Sequence, residues 1–299
     1  MGIIRSRAIM MLDAKLNGVD FSSTLTLGHQ KNNMNFKELR NLRTKYKIDS
    51  HYDFDVKMKY RSYSDYFFSH YLGVKSLSVL DYSDYENANI IHDLNYLIPD
   101  TLVEHFDVVV DGGTLEHIFN FPTAIKNCMM MVKRGGSIFV FSMANNHCGH
   151  GFYQFSPELF YRIFEKDNGF QIKNIILVKH PFPGAELSEK QQCFKVKDPM
   201  IVGRRSSLVT KSPLGIMVHA TKISSISVFI NYPNQSDYQN KWKKNNYHGI
   251  YSNNNNKFKD ISKLILSKFP LKFKLWLKGC FMLMKFNLKR DSEFYQPWS

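Results

Sequence analysis

The chain has 299 residues, of which 43% are hydrophobic and 14% aromatic, a composition that supports a sizeable core and excludes an intrinsically disordered protein. The formal net charge is +14, and residues 241–290 hold twelve lysines and one arginine against a single aspartate. A basic excess confined to one end of a chain is typical of a local contact with an anionic surface. It argues against a nucleic-acid-binding core, so we expect no nucleic-acid partner.

The cysteines and the N-terminal sequence indicate the cellular compartment in which the protein works. Cys128, Cys148, Cys193 and Cys280 form no CxxC pair, which predicts reduced thiols in a cytoplasmic protein. The apolar patch near the N-terminus is interrupted at position 13, before the core of a signal peptide is complete. Because no charge-free apolar run reaches the roughly 18 residues that a spanning helix needs, we expect a soluble or membrane-peripheral protein.

Strand and helix patterns alternate along the first two thirds of the chain. Strands are predicted at 23–28, 76–81, 88–93, 106–111, 137–143, 170–180 and 214–223, and helices at 35–47, 63–72, 122–133 and 157–166. This order predicts an α/β fold, a Rossmann-like, doubly wound and mostly parallel seven-stranded sheet with a late antiparallel hairpin. We assign this domain to 1–230, an Asn- and Lys-rich linker to 231–257 and a basic amphipathic helical tail to 258–299.

Polar residues and glycines collect just after the predicted strands. Ligands of an open parallel sheet bind at the carboxyl ends of its strands, near the point where the strand order reverses. The candidate binding residues there are Gly28, His29, Gln30, Asp81, Tyr82, Asp93, Leu94, Asp111, Gly112, Gly113 and Thr114. For a nucleoside ligand, Asp81 could accept both ribose hydroxyls and Asp93 an adenine amino hydrogen, while glycines let the backbone approach the ligand.

A longer motif follows the fourth predicted strand. Leu115-Glu116-His117 comes first, then a predicted helix, then Val132-Lys133-Arg134-Gly135-Gly136 before the fifth strand. This arrangement resembles class I S-adenosylmethionine-dependent methyltransferases of the methyltransferase type 11-like kind. The resemblance covers roughly residues 20–223 and implies S-adenosylmethionine as cofactor, with Asp81 and Asp93 where the family places its ribose and adenine acids.

The chain departs from the family in the turn after the first strand. The family's GxGxG turn is reduced to Gly28, and 53 positions separate Gly28 from Asp81, more than twice the spacing typical of the family. We therefore expect side chains of His29 and Gln30 to replace backbone contacts to the cofactor.

The acceptor is expected beyond the fourth and fifth strands. His117 could serve as a general base, since an unperturbed imidazole has a pKa near 6.5, or it could pack on the following helix. The segment 149–160 either contacts the acceptor or caps the core with its aromatic rings. His147, Cys148 and His150 lack a fourth ligand, so no metal site is predicted. The candidates for orienting or deprotonating the acceptor are Glu116, His117, His150 and Tyr153.

The resulting hypothesis is a methyltransferase for a small molecule or a sugar hydroxyl. One alternative is a non-catalytic methyltransferase-like scaffold with a degenerate cofactor turn. Another is a nicotinamide-dependent Rossmann enzyme, against which the missing GxGxxG counts. In the basic tail, Pro270 divides two amphipathic segments, and the stretch 258–290 either lies in an anionic membrane surface or docks on the domain or a second subunit.

Overall fold

The computed structural model describes residues 2–49, 58–181, 191–239 and 269–298. Their β-structure consists of a two-stranded parallel sheet, β1 with β3, and a nine-stranded sheet in the order β11-β9-β8-β10-β7-β6-β2-β4-β5. The strands are β1 Gly2–Ile3, β2 Ser23–Leu27, β3 Lys31–Asn32, β4 Ser76–Asp81, β5 Ile90–Ile91, β6 Phe106–Asp111, β7 Val132–Asn145, β8 Phe170–Lys179, β9 Gln192–Val196, β10 Leu214–Lys222 and β11 Tyr295–Trp298.

The large sheet confirms the predicted fold class. Strands β5, β4, β2, β6 and β7 are parallel to one another, and β10 runs antiparallel to both β7 and β8. All seven predicted strands are present, but the sheet has nine strands because β9 and β11 extend the edge beyond β8. Both additions are short, and β11, which forms the edge of the sheet, contains Pro297, which an edge strand tolerates and which weakens the strand signal in the sequence.

Helices lie before, between and after these strands. They are α1 Arg5–Leu16, α2 Phe36–Tyr46, α3 Phe121–Met131, α4 Pro157–Ile163, α5 Pro199–Val202 and α6 Leu271–Lys285, with a π-helix at Phe67–Leu72 and 3₁₀ turns at Asp100–Leu102, Leu115–His117 and Lys166–Asn168. Helix α4 begins as predicted, with the Ser156 side chain accepting from the Leu159 amide and proline in the first turn. Helix α1 was not predicted.

Both faces of the sheet are covered, as the apolar run of β6 predicts. Val109 packs into one core cluster with residues of α3 and α4. Val108 and Val110 pack into a second cluster with residues of α1, α2 and the π-helix. A parallel strand that is buried on both faces reads as continuous apolar sequence rather than as an alternation. The long interval between β2 and β4 supplies much of this second layer.

The C-terminal segment combines a packed end with an exposed helix. Strand β11 pairs with β9, and Arg204 forms ion pairs with Asp291 and Glu293. No residue of α6 is buried. Within the described ranges, no helix has both the length and the apolar character needed to cross a bilayer. Most of the predicted linker and the first part of the predicted tail, 240–268, lie outside the described residues, so these boundaries stay a prediction.

Candidate functional site

Strands β2, β4, β6 and β7 end at the same edge of the sheet, here called the carboxyl edge. Strand β2 pairs in parallel with β4 on one side and with β6 on the other. The strand order therefore reverses beside β2, which makes this the topological switch point where open α/β sheets bind ligands. The loops after β2, β4 and β5 form its β4 side, and the loops after β6 and β7 form its β7 side.

Three strand ends converge at the turn after β2. Gly28 has φ 67°, a left-handed conformation that glycine adopts without strain, and its amide donates to the Leu80 carbonyl at 2.8 Å. A Cβ at this position would lie 3.5 Å from Thr114 Oγ1 and 3.7 Å from Asp81 Oδ2. The structure thus brings together the predicted residues Gly28, Asp81 and Thr114.

On the β4 side, Asp81 ends β4 and Asp93 follows β5 by two residues, and both acids are bonded to nearby polar groups. Asp81 pairs with Ile91 in the β4–β5 ladder, and its Oδ1 accepts from the Tyr82 amide at 2.6 Å. Asp93 Oδ1 accepts from the backbone and side-chain nitrogens of Asn95 at 2.9 and 2.8 Å. Asp93 therefore stabilises a turn, whether or not it also binds a ligand. Tyr82 is exposed, whereas Leu94 is buried in the core.

His29 is held by residues that follow it in the chain, at positions 63, 65 and 86. Its ring stacks on Tyr63 with 3.6 Å between centroids, Nε2 pairs with Asp65 at 3.0 Å, and Nδ1 lies 2.7 Å from the Glu86 carbonyl. Both ring nitrogens thus have protein partners. The contact of His29 with a cofactor stays a prediction.

Gln30 lies beneath the turn and not on its surface. Its side-chain amide is buried, and Nε2 donates to the Leu27 carbonyl at 2.7 Å. A Cβ on Gly112 would lie 1.8 Å from Gln30 Oε1. The glycine at 112 is therefore required by the close approach of Gln30, which is a reason the sequence did not reveal.

Asp111 begins the β7 side at the end of β6. Its Oδ1 accepts from the Gly113 and Thr114 amides at 3.1 and 2.7 Å, whereas Oδ2 is buried and has no hydrogen-bond partner. Burial, followed by the nearby charge of Glu116, raises the pKa of Asp111 to about 7. A carboxyl group desolvated in this way is more easily protonated near neutral pH.

Glu116 is the central side chain of the β7 side. It is 0% exposed, and burial raises its pKa. Oε2 accepts from the Ser142 hydroxyl at 2.8 Å, while Oε1 is buried without a hydrogen bond and lies 3.8 Å from His150 Nε2. The structure therefore places two of the acceptor-side candidates, Glu116 and His150, next to each other.

The other two acceptor-side candidates differ in what surrounds them. The His117 ring lies 5.2 Å from the His150 ring, and its pKa is lowered by desolvation and by the neighbouring His150. Tyr153 instead donates its hydroxyl to the Phe119 carbonyl at 2.7 Å and packs beside Phe121. The structure thus groups His117 with His150 and Glu116, and gives Tyr153 a packing contact.

Sequence reasoning missed two polar side chains at this edge. Arg7 of α1 is buried and donates from Nη1 to the Gly112 carbonyl at 3.2 Å and to the Gly2 carbonyl at 2.8 Å. Ser142, near the end of β7, holds the Glu116 carboxylate. In the sequence, Arg7 stands within an apolar stretch that would bury it in a helix. A buried guanidinium needs hydrogen-bond acceptors, so this position was the signal that Arg7 contacts polar groups.

Several solved structures similar to this chain are described as methyltransferases, and one is described as a [4+2]-cyclase. A SAM-dependent methyltransferase of Thermotoga maritima, described as a possible histamine N-methyltransferase, is 12% identical with a TM-score of 0.37, covering 72% of this chain and 89% of its own. A putative methyltransferase of Bacillus halodurans is 10% identical with a TM-score of 0.37, covering 73% and 99%. The 1,6-didemethyltoxoflavin-N1-methyltransferase of Burkholderia thailandensis is 11% identical with a TM-score of 0.37, covering 74% and 78%.

No protein-family model and no curated protein sequence matches the chain. All three of these solved structures have TM-scores below 0.5.

Proposed function

We propose that this chain is an S-adenosylmethionine-dependent methyltransferase that acts on a small-molecule or sugar acceptor. The observation that carries the proposal is the convergence of three strand ends at Gly28, with the Asp81 carboxylate beside a turn that lacks a side chain. This juxtaposition lies at the switch point of the sheet, where a nucleoside would find both an acid for its ribose and backbone that it can approach. The motif Leu115-Glu116-His117 supports the same assignment.

The residues of the β4 side fit the nucleoside part of the cofactor. Asp81 would accept the ribose hydroxyls, and Asp93 would accept from the adenine amino group while its Oδ1 keeps the bonds to Asn95. When bound, S-adenosylmethionine supplies an electrophilic methyl group. The side chain of Gln30 is buried against Gly112, so we propose that the amino-acid end of the cofactor contacts the exposed side of the Gly28 turn.

The β7 side would orient the acceptor and remove its proton. His117 is exposed and has a lowered pKa, so its ring is largely neutral at pH 7 and can take a proton from a hydroxyl group. Methyl transfer needs close alignment of donor and acceptor more than it needs a nucleophilic residue. The β7 side therefore needs only to hold the acceptor and to take its proton.

Isothermal titration of the full chain with S-adenosylmethionine tests the proposal. We expect saturable one-to-one binding, with S-adenosylhomocysteine competing for the same site and NADH giving no heat. Titration to millimolar cofactor without a binding signal would remove the enzyme hypothesis. Binding without turnover on any panel of hydroxyl and amine acceptors would favour the non-catalytic scaffold instead.

The exposed helix α6 supports a second proposed function, binding to a membrane surface. No residue of α6 is buried, and Leu275, Trp276 and Phe281 are each more than half exposed. Lys274, Lys278 and Lys285 are spaced by four and seven residues, which places them on one side of the helix. We propose that α6 lies in an anionic membrane surface, because the exposed side chains of Trp276 and Leu283 lie on the side of the helix opposite this row of lysines.

Co-sedimentation with vesicles tests this second proposal. The full chain should sediment with vesicles containing phosphatidylserine and not with phosphatidylcholine alone. The double variant Trp276→Ser/Leu283→Ser should bind several-fold more weakly, whereas Tyr232→Ser, an exposed aromatic residue outside α6, should bind normally. Equal binding of all three proteins would contradict the proposal, as would a dimer in solution that α6 substitutions dissociate.

A further inference from the structure

Three side chains with metal-binding atoms meet at the β7 side. A carboxylate oxygen of Glu116 and one ring nitrogen each of His117 and His150 lie within 4.8 Å of one another. Glu116 and His117 come from the 3₁₀ turn after β6, and His150 comes from the loop after β7. Two loops that are far apart in sequence therefore contribute to one cluster.

The atoms that face each other in this cluster lack other partners. Glu116 Oε1 and His150 Nε2 are both buried and make no hydrogen bond, although they are only 3.8 Å apart. A buried carboxylate oxygen without a partner is costly. Ser142 satisfies only the other oxygen of Glu116. The cluster thus has the unfilled coordination capacity that a bound cation would satisfy.

The backbone fixes the two loops against each other. The Glu116 carbonyl accepts from the Phe152 and Tyr153 amides at 2.8 and 3.2 Å. Gly151 has φ 71°, and a Cβ there would lie 2.7 Å from the Glu116 carbonyl oxygen. Only glycine permits this approach, so the sequence at 151 supports the placement of His150 beside Glu116.

The spacing and the donor types indicate which cation would fit. Donors about 2.0–2.1 Å from a tetrahedral Zn²⁺ are separated by roughly 3.4 Å, so the 3.8 Å pair needs little movement. The exposed His117 can rotate to complete the set. Two imidazoles and one carboxylate favour a first-row transition metal over Mg²⁺, and three protein ligands leave a coordination position open.

We propose that Glu116, His117 and His150 bind a divalent transition metal ion, with Zn²⁺ as the reference ion. The sequence led us to expect no metal, because His147, Cys148 and His150 lacked a fourth ligand, and the proposed set differs from that one. If the proposed methyltransferase function holds, an acceptor oxygen would take the open position, and the metal would lower the pKa of that hydroxyl group. In this state His117 would act as a metal ligand and not as the general base.

Zinc binding by the full chain tests the site. After removal of metal with a chelator, we expect one Zn²⁺ per chain by titration against a chromophoric zinc indicator. Glu116→Gln and His150→Gln should each weaken binding at least about 100-fold, because loss of groups that only hydrogen-bond to metal ligands already costs about 10–100-fold. His105→Gln changes an exposed histidine at the opposite end of β6 and should bind normally.

Two further measurements separate a loss of zinc ligands from a loss of folding or of cofactor binding. Thermal unfolding of the metal-free proteins shows whether a variant is folded, and Glu116→Gln retains an oxygen for the Ser142 hydroxyl. S-adenosylmethionine binding, measured on the same proteins without zinc, reports on the proposed function alone. The proposed metal site is wrong if the wild-type chain binds no zinc, or if all variants bind zinc with equal affinity. If the chain binds zinc but not S-adenosylmethionine, the metal site is supported and the proposed methyltransferase function is contradicted.

Discussion

The two sides of the carboxyl edge handle their carboxylates in different ways. On the β4 side, Asp81 and Asp93 are half-buried, and each accepts hydrogen bonds from groups one or two residues away. On the β7 side, Asp111 and Glu116 are fully buried, and each has one oxygen without a hydrogen bond. Solvent and local turns stabilise the first pair in the absence of ligand, whereas the second pair bears an uncompensated desolvation cost.

This difference suggests a division of work along the edge. Accessible carboxylates with normal local partners suit reversible binding of a polar nucleoside. Buried, partly unpaired carboxylates are typical of functional sites, where they hold a proton or a cation. The comparison therefore predicts that ligand affinity will depend on the β4 side, and that metal binding and pH-dependent stability will depend on the β7 side.

The largest effect on cofactor affinity is expected at the β4 side. Asp81→Asn should weaken S-adenosylmethionine binding by about 10–100-fold, because hydrogen bonds to a charged group contribute about 1.5–3 kcal/mol. The asparagine can still accept from the Tyr82 amide, so the turn should persist. Calorimetric titration measures the change, and Asp84→Asn, an exposed acid in the same loop, should bind normally. Equal affinity of both variants would show that the cofactor site lies elsewhere.

The next prediction concerns protein stability and tests the packing of Gly112 against Gln30. Gly112→Ala should lower the free energy of unfolding by about 1–3 kcal/mol, because its Cβ would overlap the buried Gln30 side chain. Combining it with Gln30→Ala should cost less than the sum of the two single changes. Urea denaturation measures all three variants, with Gly279→Ala, where a Cβ meets open space, as the control. If the two changes in unfolding free energy were strictly additive, the proposed steric overlap between a Cβ at position 112 and Gln30 would be contradicted.

A pH effect should distinguish the β7 side. Because the pKa of Asp111 is raised to about 7, the native state binds a proton that the unfolded state releases near pH 4. This contribution to stability is present below pH 4 and is lost as the pH rises to about 7, with a slope of up to about 1.4 kcal/mol per pH unit. Asp111→Asn should reduce the slope.

Urea denaturation between pH 4 and 8, in the presence of EDTA, checks the Asp111 prediction. Asp100→Asn, which changes an exposed acid, should keep the wild-type slope. Glu116 contributes in the same direction, since its pKa is raised by burial too. A slope that is unchanged in Asp111→Asn would mean that Asp111 is ionised in the native protein.

The smallest effect is expected at Asp93. Asp93→Asn keeps an acceptor for Asn95, so stability should change by less than about 0.5 kcal/mol. Cofactor affinity should fall only about 2–10-fold, as for one hydrogen bond of about 0.5–1.5 kcal/mol. The same calorimetric titration measures it. A loss larger than that of Asp81→Asn would reverse the order of importance within the β4 side.

The sequence predicted the central strands more accurately than the edges. The bounds of β4 and β6 agree with the prediction because their apolar runs are long and end in an acid. Strands β9 and β11 were missed because both are short and show little periodicity, and β11, at the edge of the sheet, also contains a proline. Helix α1 was interpreted only as an interrupted apolar patch, although its apolar residues pack beneath the sheet.

By itself, the sequence determined the alternation of the central strands and helices, and the acids and glycines that follow the strands. These follow from local periodicity and from the rule that parallel strands end at one edge. The tertiary structure decided which polar atoms remain unpaired. It placed Gln30 beneath Gly112, and it brought the loop after β7 against Glu116 so that His150 faces an unsatisfied carboxylate oxygen. Such contacts join residues far apart in the chain, and no local pattern encodes them.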